Sequence, residues 1–388
     1  MFEDVPSLED LGPLYGRSVL LRADLNVPLS RAPGRPPTVA DDFRIRAALP
    51  TITWLMARGA RVTVASHLGR PRGHPDPALS LEPVRVLLEH LVPGVKVLEN
   101  LRFEPGEEAG DAAFGAWLVD GNDCYVNDAF GACHRAHSSI VFPPSVVPSC
   151  AGRLLHAELA ALSAVMDHPA RPFTLVAGGA KVADKLGVIR ALAGTADRIV
   201  LGGAMAFTFL AAAAHEVGDV ALDQTEVAAC RVLLDAGLPL TLPVDLVAAR
   251  SDLRPGPVPA DAELRIFVGD VPAGWQAFDV GPDTRARFRH QIAGSGTVLW
   301  NGPMGVFEDP RFDAGTRAVA EAVARCTGFT VVGGGDSVRA IRALGLEHRV
   351  GHLSSGGGAM LALIEQGDLP GIAALRSGRR DEPARAKS

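Results

Sequence analysis

Lysine is almost missing from this chain. Of 38 lysines and arginines only four are lysines, Lys96, Lys181, Lys185 and Lys387, so a positive charge here is nearly always a guanidinium. Cysteine is also scarce: Cys124, Cys133, Cys150, Cys230 and Cys326 are odd in number and widely spaced, with no CxxC pair. That pattern excludes a disulfide framework and fits reduced thiols. Cys124, Cys133, His134 and His137 match no familiar zinc spacing. No apolar run is long enough for a membrane, since Ile199 to Ala214 has 16 residues and is interrupted by Gly202 and Gly203. The opening segment carries Glu3, Asp4, Glu9 and Asp10 and lacks a basic residue ahead of an apolar run, the wrong order for a secretory signal. A cytoplasmic protein without a membrane segment is expected. A net charge of −6 lacks the basic excess of a general nucleic-acid binder. Neither GxGxxG with an acidic residue about 20 positions on nor GxxxxGK[ST] occurs, which disfavours a dinucleotide fold and a P-loop.

What is present suits a large globular protein. The chain has 388 residues, 47% of them hydrophobic and 21% charged, which is long for one core and comfortable for two. Short β-branched runs alternate with helical patterns: Ser18 to Ala23, Arg61 to Ala65, Val95 to Leu98, Cys124 to Val126, Thr174 to Ala177, Arg198 to Leu201, Leu240 to Leu242, Thr297 to Trp300 and Thr330 to Val332. Such alternation predicts α/β domains with parallel sheets covered on both faces. Gly152 to His168, with Leu154, Leu155, Leu159, Leu162 and Val165 near helical spacing, predicts a connecting helix. The tail from Ser377, with Arg379, Arg380, Asp381, Glu382 and Arg385, reads as a solvated end.

In open parallel sheets, ligands bind beyond the carboxyl ends of the strands. In the first half those positions are polar and basic: Arg22 to Asn26, Ser66 to Arg70, Glu99 to Arg102, and Asn127 to Arg135. Parallel strands would bring His67, Arg70, Arg102 and Arg135 to one rim, with Arg44 near the start of the next helix. One such arginine is ordinarily half of a surface ion pair. Several on one rim suit a ligand with carboxylate and phosphate groups.

In the second half the same positions carry glycine: Gly178-Gly179, Gly202-Gly203, Gly302 to Gly305, Gly333 to Gly335 and Gly356 to Gly358. Glycines ahead of a helix let backbone N–H groups approach phosphate oxygens. One such loop is explained by tight turning alone, whereas five favour a nucleotide. Lys181 and Lys185, four apart, read as one face of the helix after Gly178-Gly179. A compact, mobile ammonium suits a phosphoryl group in transit. Asp336 follows three glycines at a helix start, where an N-cap is the ordinary reading. Beside phosphates it is a candidate Mg ligand, and Glu308 could accept from ribose hydroxyls.

These segments together resemble the phosphoglycerate kinase family: RADLNVP at 22 to 28, RIRAALPTI at 44 to 52, SHLGRP at 66 to 71, ENLRF at 99 to 103, NDAFGACHRAHSS at 127 to 139, GGAKVADK at 178 to 185, WNGPMGVFE at 300 to 308, GGGDS at 333 to 337 and SSGGGA at 354 to 359. The resemblance implies two Rossmann-like, doubly wound parallel-sheet domains joined by a hinge helix. Residues 1–152 would bind phosphoglycerate, residues 153–366 would bind nucleotide, and 367–388 would pack back on the first domain. It implies a glycolytic kinase that moves the acyl phosphate of 1,3-bisphosphoglycerate to Mg-ADP, giving ATP and 3-phosphoglycerate, and that acts as a hinge-closing monomer. By motif, Asp24, Asn26, Arg44, His67, Arg70, Arg102 and Arg135 would hold the phosphoglycerate. Lys185, Gly202, Asn301, Glu308, Gly333, Gly334, Gly335, Asp336 and Ser337 would serve the nucleotide, with Arg44, Lys181 and Lys185 acting on the moving phosphoryl group and Asp336 on Mg2+. A dehydrogenase is disfavoured by the missing fingerprint. A non-catalytic phosphosugar binder would not need the second, glycine-lined site. Departures from the family pattern are the longer loop at Arg31 to Pro37, Cys133, Ala204, Met360, Ala362 and Gln366, none expected to touch an assigned residue.

Overall fold

The computed structural model describes residues 2–32, 34–250 and 258–378. The chain divides into two compact units, Met1–Ala160 with Gln366–Ser388, and Ala161–Glu365. The tail beyond Gly378, Lys387 included, lies outside the described residues.

The strands of the two parallel sheets are numbered here in chain order. The first unit holds β1 (Ser18–Ala23), β2 (Arg61–Ala65), β3 (Lys96–Val97), β4 (Cys124–Asp128) and β5 (Ser149–Ala151), in the spatial order β3-β2-β1-β4-β5, every pairing parallel. Central β1 and β4 are buried along almost their whole length, as strands covered on both faces must be. Their apolar residues, among them Val19, Leu21 and Val126, share a core with Ile45, Ile52 and Leu55 of the helix Phe43–Ala57.

The second unit holds β6 (Phe173–Ala177), β7 (Arg198–Leu201), β8 (Leu240–Thr241), β9 (Thr297–Asn301), β10 (Phe329–Gly333) and β11 (His352–Leu353), in the order β8-β7-β6-β9-β10-β11, again all parallel. The two sheets make this an α/β protein of two Rossmann-like units, as the alternation of strands and helices predicts. A three-stranded antiparallel sheet, Asp245–Arg250 between Leu264–Val268 and Trp275–Val280, was not expected. Its inner faces bury Leu246, Ala248, Trp275 and Ala277 against Phe207 and Leu210. The outer strand is largely exposed, Val268 to 75%, so it lacks the continuous apolar run that marks a buried parallel strand.

The predicted connector is the helix Arg153–Met166, and the division between units falls inside it. Its first turn is anchored at the end of β4. Asp128 Oδ1 accepts from Leu155 N at 3.1 Å, and Thr51 Oγ1 accepts from Arg153 N at 2.8 Å. The last described helix, Pro370–Ser377, lies in the first unit, where Gly371 N donates to the Cys133 carbonyl at 2.9 Å.

Asp128 is fully buried, and its Oδ2 has no hydrogen-bond partner among the described residues. Burial raises its carboxyl from 3.8 to about 6, against the hydrogen bonds from Thr51 and the helix start. A raised folded pKa means that the folded protein binds the proton more tightly, so this stabilisation is complete below pH 4 and is lost as pH rises through 6. The stability of wild type relative to Asp128→Asn should therefore fall by about 3 kcal/mol between pH 4 and pH 8. Urea titrations of both proteins across that range check it, and a pH-independent difference would refute it.

Candidate functional site

Because β1 to β4 run parallel, the polar segments after them leave one edge of the first sheet, and hydrogen bonds knit them together. Leu25 N donates to Ser66 Oγ at 2.9 Å, Gly69 N to Asn26 Oδ1 at 2.9 Å, and Arg102 Nη1 to the Gly69 carbonyl at 2.7 Å. Asn100 fastens the same turn from below, accepting from Leu68 N at 3.2 Å and donating to the Leu68 carbonyl at 2.7 Å. Arg44 reaches in from the first turn of its helix, donating to the Asn26 carbonyl at 2.8 Å and to Asp24 Oδ1 at 3.3 Å. Asp24, Asn26, Arg44, Gly69 and Arg102 thus form one linked set. Arg70 and Arg135 are exposed and form no ion pair among the described residues.

His67 is buried, and its Nδ1 lies 3.1 Å from Arg22 Nη2. A guanidinium only donates, so Nδ1 accepts and the neutral ring carries its proton on Nε2. Burial first, then the positive charges of Arg22, Arg102 and Arg44, holds the imidazole well below its ordinary pKa of 6.5. His67 is therefore a fixed neutral donor.

Arg22 is a functional residue to which the sequence reading gave no role. It is fully buried near the end of β1. Its Nε donates to Ser139 Oγ at 2.8 Å and its Nη1 to the Ala23 carbonyl at 2.6 Å, with Glu107 Oε1 3.8 Å from Nη2. Ser139 in turn binds both Glu107 oxygens, through Oγ at 2.6 Å and N at 2.9 Å. The signal was present in the sequence: a charge inside SVLLRA, an otherwise apolar strand, must have a buried counter-charge.

In the second unit the glycine-bearing loops also leave one sheet edge. Gly178 N donates to the Asn301 carbonyl at 2.9 Å, Gly179 N to the Pro303 carbonyl at 2.9 Å and Gly203 N to the Met304 carbonyl at 3.0 Å. Most of these glycines serve loop-on-loop packing. Gly302 has φ +97° and its Cα faces Gly178, whose backbone occupies the space of a Cβ. Gly335 and Gly358 differ, with open space where a Cβ would stand, and are the places where a ligand can approach the backbone closely. Met360 corrects the expectation that no family departure touches an assigned residue. It is fully buried, and a Cβ on Gly333 would lie 2.5 Å from its Sδ.

Lys181 is a second correction. The helix begins at Ala183, so Lys181 stands before it, exposed, and shares no helical face with Lys185. Gly179, at φ +103°, extends the loop beyond where a helical count from the glycines would end it. Lys185 is half-buried and its Nζ bonds Asn301 Oδ1. Burial lowers its amine from 10.5 to about 8, against the opposing pull of Asp184 and Asp336. The buried Asn301 Nδ2 has no hydrogen-bond partner among the described residues, an orphan donor beside the lysine.

Gly334 caps the helix Gly335–Ala343, so Asp336 lies in its first turn. Asp336 and Glu308 share Arg339, whose Nη2 is 3.2 Å from Asp336 Oδ1 and 2.6 Å from Glu308 Oε1. Ser337 is fully buried and its Oγ accepts from Gly302 N at 2.7 Å. Gly202, buried, caps the helix Gly203–Ala212.

One unit with an arginine- and histidine-lined rim, and another with a lysine, glycine loops and an open helix start, define an α/β enzyme of phosphoryl transfer. The comparisons make the class specific. The family model described as phosphoglycerate kinase matches residues 8–97 and 92–367. The phosphoglycerate kinase of Frankia casuarinae is 47% identical over 404 residues, covering 95% of this chain and 99% of that one. That of Rubrobacter xylanophilus is 47% identical over 397 residues, with 96% and 98% covered. The structure of phosphoglycerate kinase from Coxiella burnetii superposes with a TM-score of 0.84 at 34% identity, covering 96% of this chain and 98% of that one. The chain belongs to the phosphoglycerate kinase family. It is a glycolytic enzyme that transfers phosphate between 1,3-bisphosphoglycerate and ADP.

Arg22→Met leaves Glu107 buried without its counter-charge and should cost about 3–5 kcal/mol, while the pair Arg22→Met with Glu107→Gln should recover a large part of that loss. A double-mutant cycle in urea measures the coupling, and strictly additive losses would show that the two do not compensate each other.

Proposed function

We propose that the first unit's rim holds 3-phosphoglycerate or 1,3-bisphosphoglycerate and that the second unit's rim holds ADP or ATP, with the side chains acting as follows. Arg70 and Arg135, exposed and without ion pairs among the described residues, bind the phosphate, joined by Arg102. His67 donates from Nε2, Asp24 accepts from the substrate hydroxyl, and Asn26 offers its side-chain amide, its oxygen being engaged by Gly69. In the direction of ATP use, a carboxylate oxygen of 3-phosphoglycerate forms a bond to the γ-phosphorus as the bond to the β-phosphate oxygen breaks and ADP departs. The protein supplies position and charge. Arg44 neutralises the carboxylate as it takes up the phosphoryl group, Lys185 follows that group, and Lys181 adds an exposed positive charge on the nucleotide side. Gly202 and Gly333 to Gly335 bring helix starts to the phosphates, Asn301 donates through its orphan amide, and Ser337 fixes the Gly302 turn. Glu308 accepts from ribose.

Mg2+ fits as part of the nucleotide. Among the described residues no cluster of three or more His, Cys, Asp or Glu could hold a metal alone, but the side chain of Asp336 is 60% exposed at a helix start. A single carboxylate is the usual protein share of a Mg ion held mainly by phosphates and water. When bound, the ion neutralises phosphate charge. Its competitor for Asp336 is Arg339, whose exposed pairing costs little to release. One chain carries both sets of residues, which supports action as a monomer, and five free cysteines support a cytoplasmic setting.

The observation that carries this reading is Lys185, a half-buried amine bonded to Asn301 at the glycine-lined rim. In a coupled assay with 3-phosphoglycerate, Mg and ATP, Lys185→Ala and Arg44→Ala should each lose about 100-fold or more in kcat, with circular dichroism unchanged. Binding of both ligands by the wild type without turnover would sink the catalytic assignment. With its amine at about 8, Lys185 is an ammonium below that pH, so kcat/KM for ATP should fall as pH rises above 8. Lys185→Arg should abolish that fall, and an unaltered profile in the variant would assign it to another group.

A further inference from the structure

A second concave site lies wholly in the first unit. It is a groove of about 1420 Å³ walled by the helices Glu82–Leu91 and Ala112–Val119, the segment Leu98 to Glu104, and the short antiparallel pair Leu29–Ser30 and Thr38–Val39 that follows Asn26. Its Leu98 to Glu104 wall includes Asn100 and Leu101 but not Arg102. The walls are apolar, and two large side chains stand open in them, Trp117 at 63% and Val86 at 56% exposure. Phe114 stacks on Trp117 with ring centroids 5.5 Å apart, which fixes the indole plane.

Carboxylates predominate around this groove, with His90 as the one basic side chain among its lining residues. Asp76, Glu82, Glu99 and Glu104 line it, and no lysine or arginine does. Three of the four are occupied. Asp76 accepts from Ala78 N at 2.8 Å, Glu82 is held by Arg85 at 2.6 Å, and Glu99 accepts from Ser80 Oγ, Leu81 N and Asn100 N at 2.7 to 2.8 Å. Glu104 is exposed and its carboxylate has no partner among the described residues; although it stands at the N-cap position of the helix Pro105–Ala109, its side chain makes no cap hydrogen bond. An anion would be repelled here, and a neutral apolar molecule would leave Glu104 unanswered.

We propose that this groove is a ligand site for a hydrophobic organic cation. Its carbon body lies against Trp117, Phe114 and Val86, and its positive centre is held by Glu104 and the indole face. Apolar walls with a few convergent polar groups are the usual make-up of a small-molecule site, and cations bind over tryptophan faces. None of the residues proposed for phosphoryl transfer lines it, so the site stands or falls apart from those assignments.

The test titrates the full chain with tetraphenylphosphonium and with tetraphenylborate, ions of the same shape and opposite charge, by calorimetry and tryptophan fluorescence. Wild type should bind the phosphonium with a Kd on the order of 10–100 μM, and Val86→Arg, which puts a positive charge in the groove, should weaken that binding at least about tenfold. Wild type should bind the borate at least about tenfold more weakly than the phosphonium, and Val86→Arg should not weaken the borate further. Trp117→Ala and Glu104→Gln should each weaken the phosphonium by about threefold or more. Val86→Arg should retain wild-type turnover, which certifies its fold. Absence of saturable phosphonium binding, phosphonium binding indifferent to Val86→Arg, or borate binding lost in parallel with it would each overturn the proposal.

Discussion

Parallel pairing of the strands is the constraint on which both sites depend. When β1 aligns with β2 and β4 so that Arg22 faces Ala65 on one side and Asn127 on the other, the residues after each strand emerge together. A side chain a few positions along any of these loops then has neighbours from the other two. That alignment also sets which face each strand residue takes, and a slip of one position would reverse it. Arg22 raises the cost of such a slip, because its guanidinium finds Ser139, Glu107 and His67 only in the observed register. A fully buried charge is weak evidence for stability in itself, but one that is satisfied in a single arrangement discriminates between arrangements. The same group fixes the tautomer of His67, so the choice of register and the chemistry of the rim rest on one side chain.

The two units present different polar groups at their sheet edges. In the first, the positive charges are guanidiniums, some tethered by Asp24, Gly69 and Glu108 and some exposed, planar donors whose geometry suits a bidentate partner. In the second the glycine loops offer backbone, and Lys185 is the half-buried positive charge beside exposed Lys181, Asp336, Glu308 and Arg339. Its partial burial lowers the amine to about 8, a response a guanidinium does not give at such pH. In a chain that uses arginine almost everywhere, a lysine at this position is a choice of mobility and compactness over fixed geometry.

Much of this was legible before any coordinates, and the reasons are specific. Each parallel strand passes from apolar to polar residues at its carboxyl end, so His67 and Arg102 could be placed on one rim from the strand pattern, whereas Asn26 and Asn301 were named as site residues by the family resemblance. The antiparallel sheet was not legible because Leu264–Val268 has one partner and open solvent, and its exposed Leu264, Ile266 and Val268 do not follow the buried pattern. Lys181 was wrongly placed on a helical face with Lys185 because spacing of four is a helical signal only where a helix exists, and Gly179 precedes a helix that starts only at Ala183. The glycines were read together, but their packing divides them. Gly178 and Gly302 are required by each other's backbones and Gly203 by those of Gly179 and Pro303, while Gly335 and Gly358 leave space open, a distinction that only the packing of the loops reveals.

Arg339 shows how close an uncommitted site stands to a committed one. It holds Asp336 and Glu308 at once, and all three side chains are more than half exposed. Such pairs are worth little in water, so this arrangement stores the two carboxylates without binding them tightly. A cation carried by phosphates could displace Arg339 from Asp336 at small cost, and the freed guanidinium would remain within reach of Glu308. Two carboxylates with no cation near them would repel each other and draw stray metal; sharing one arginine avoids both while leaving the helix start at Gly335 open.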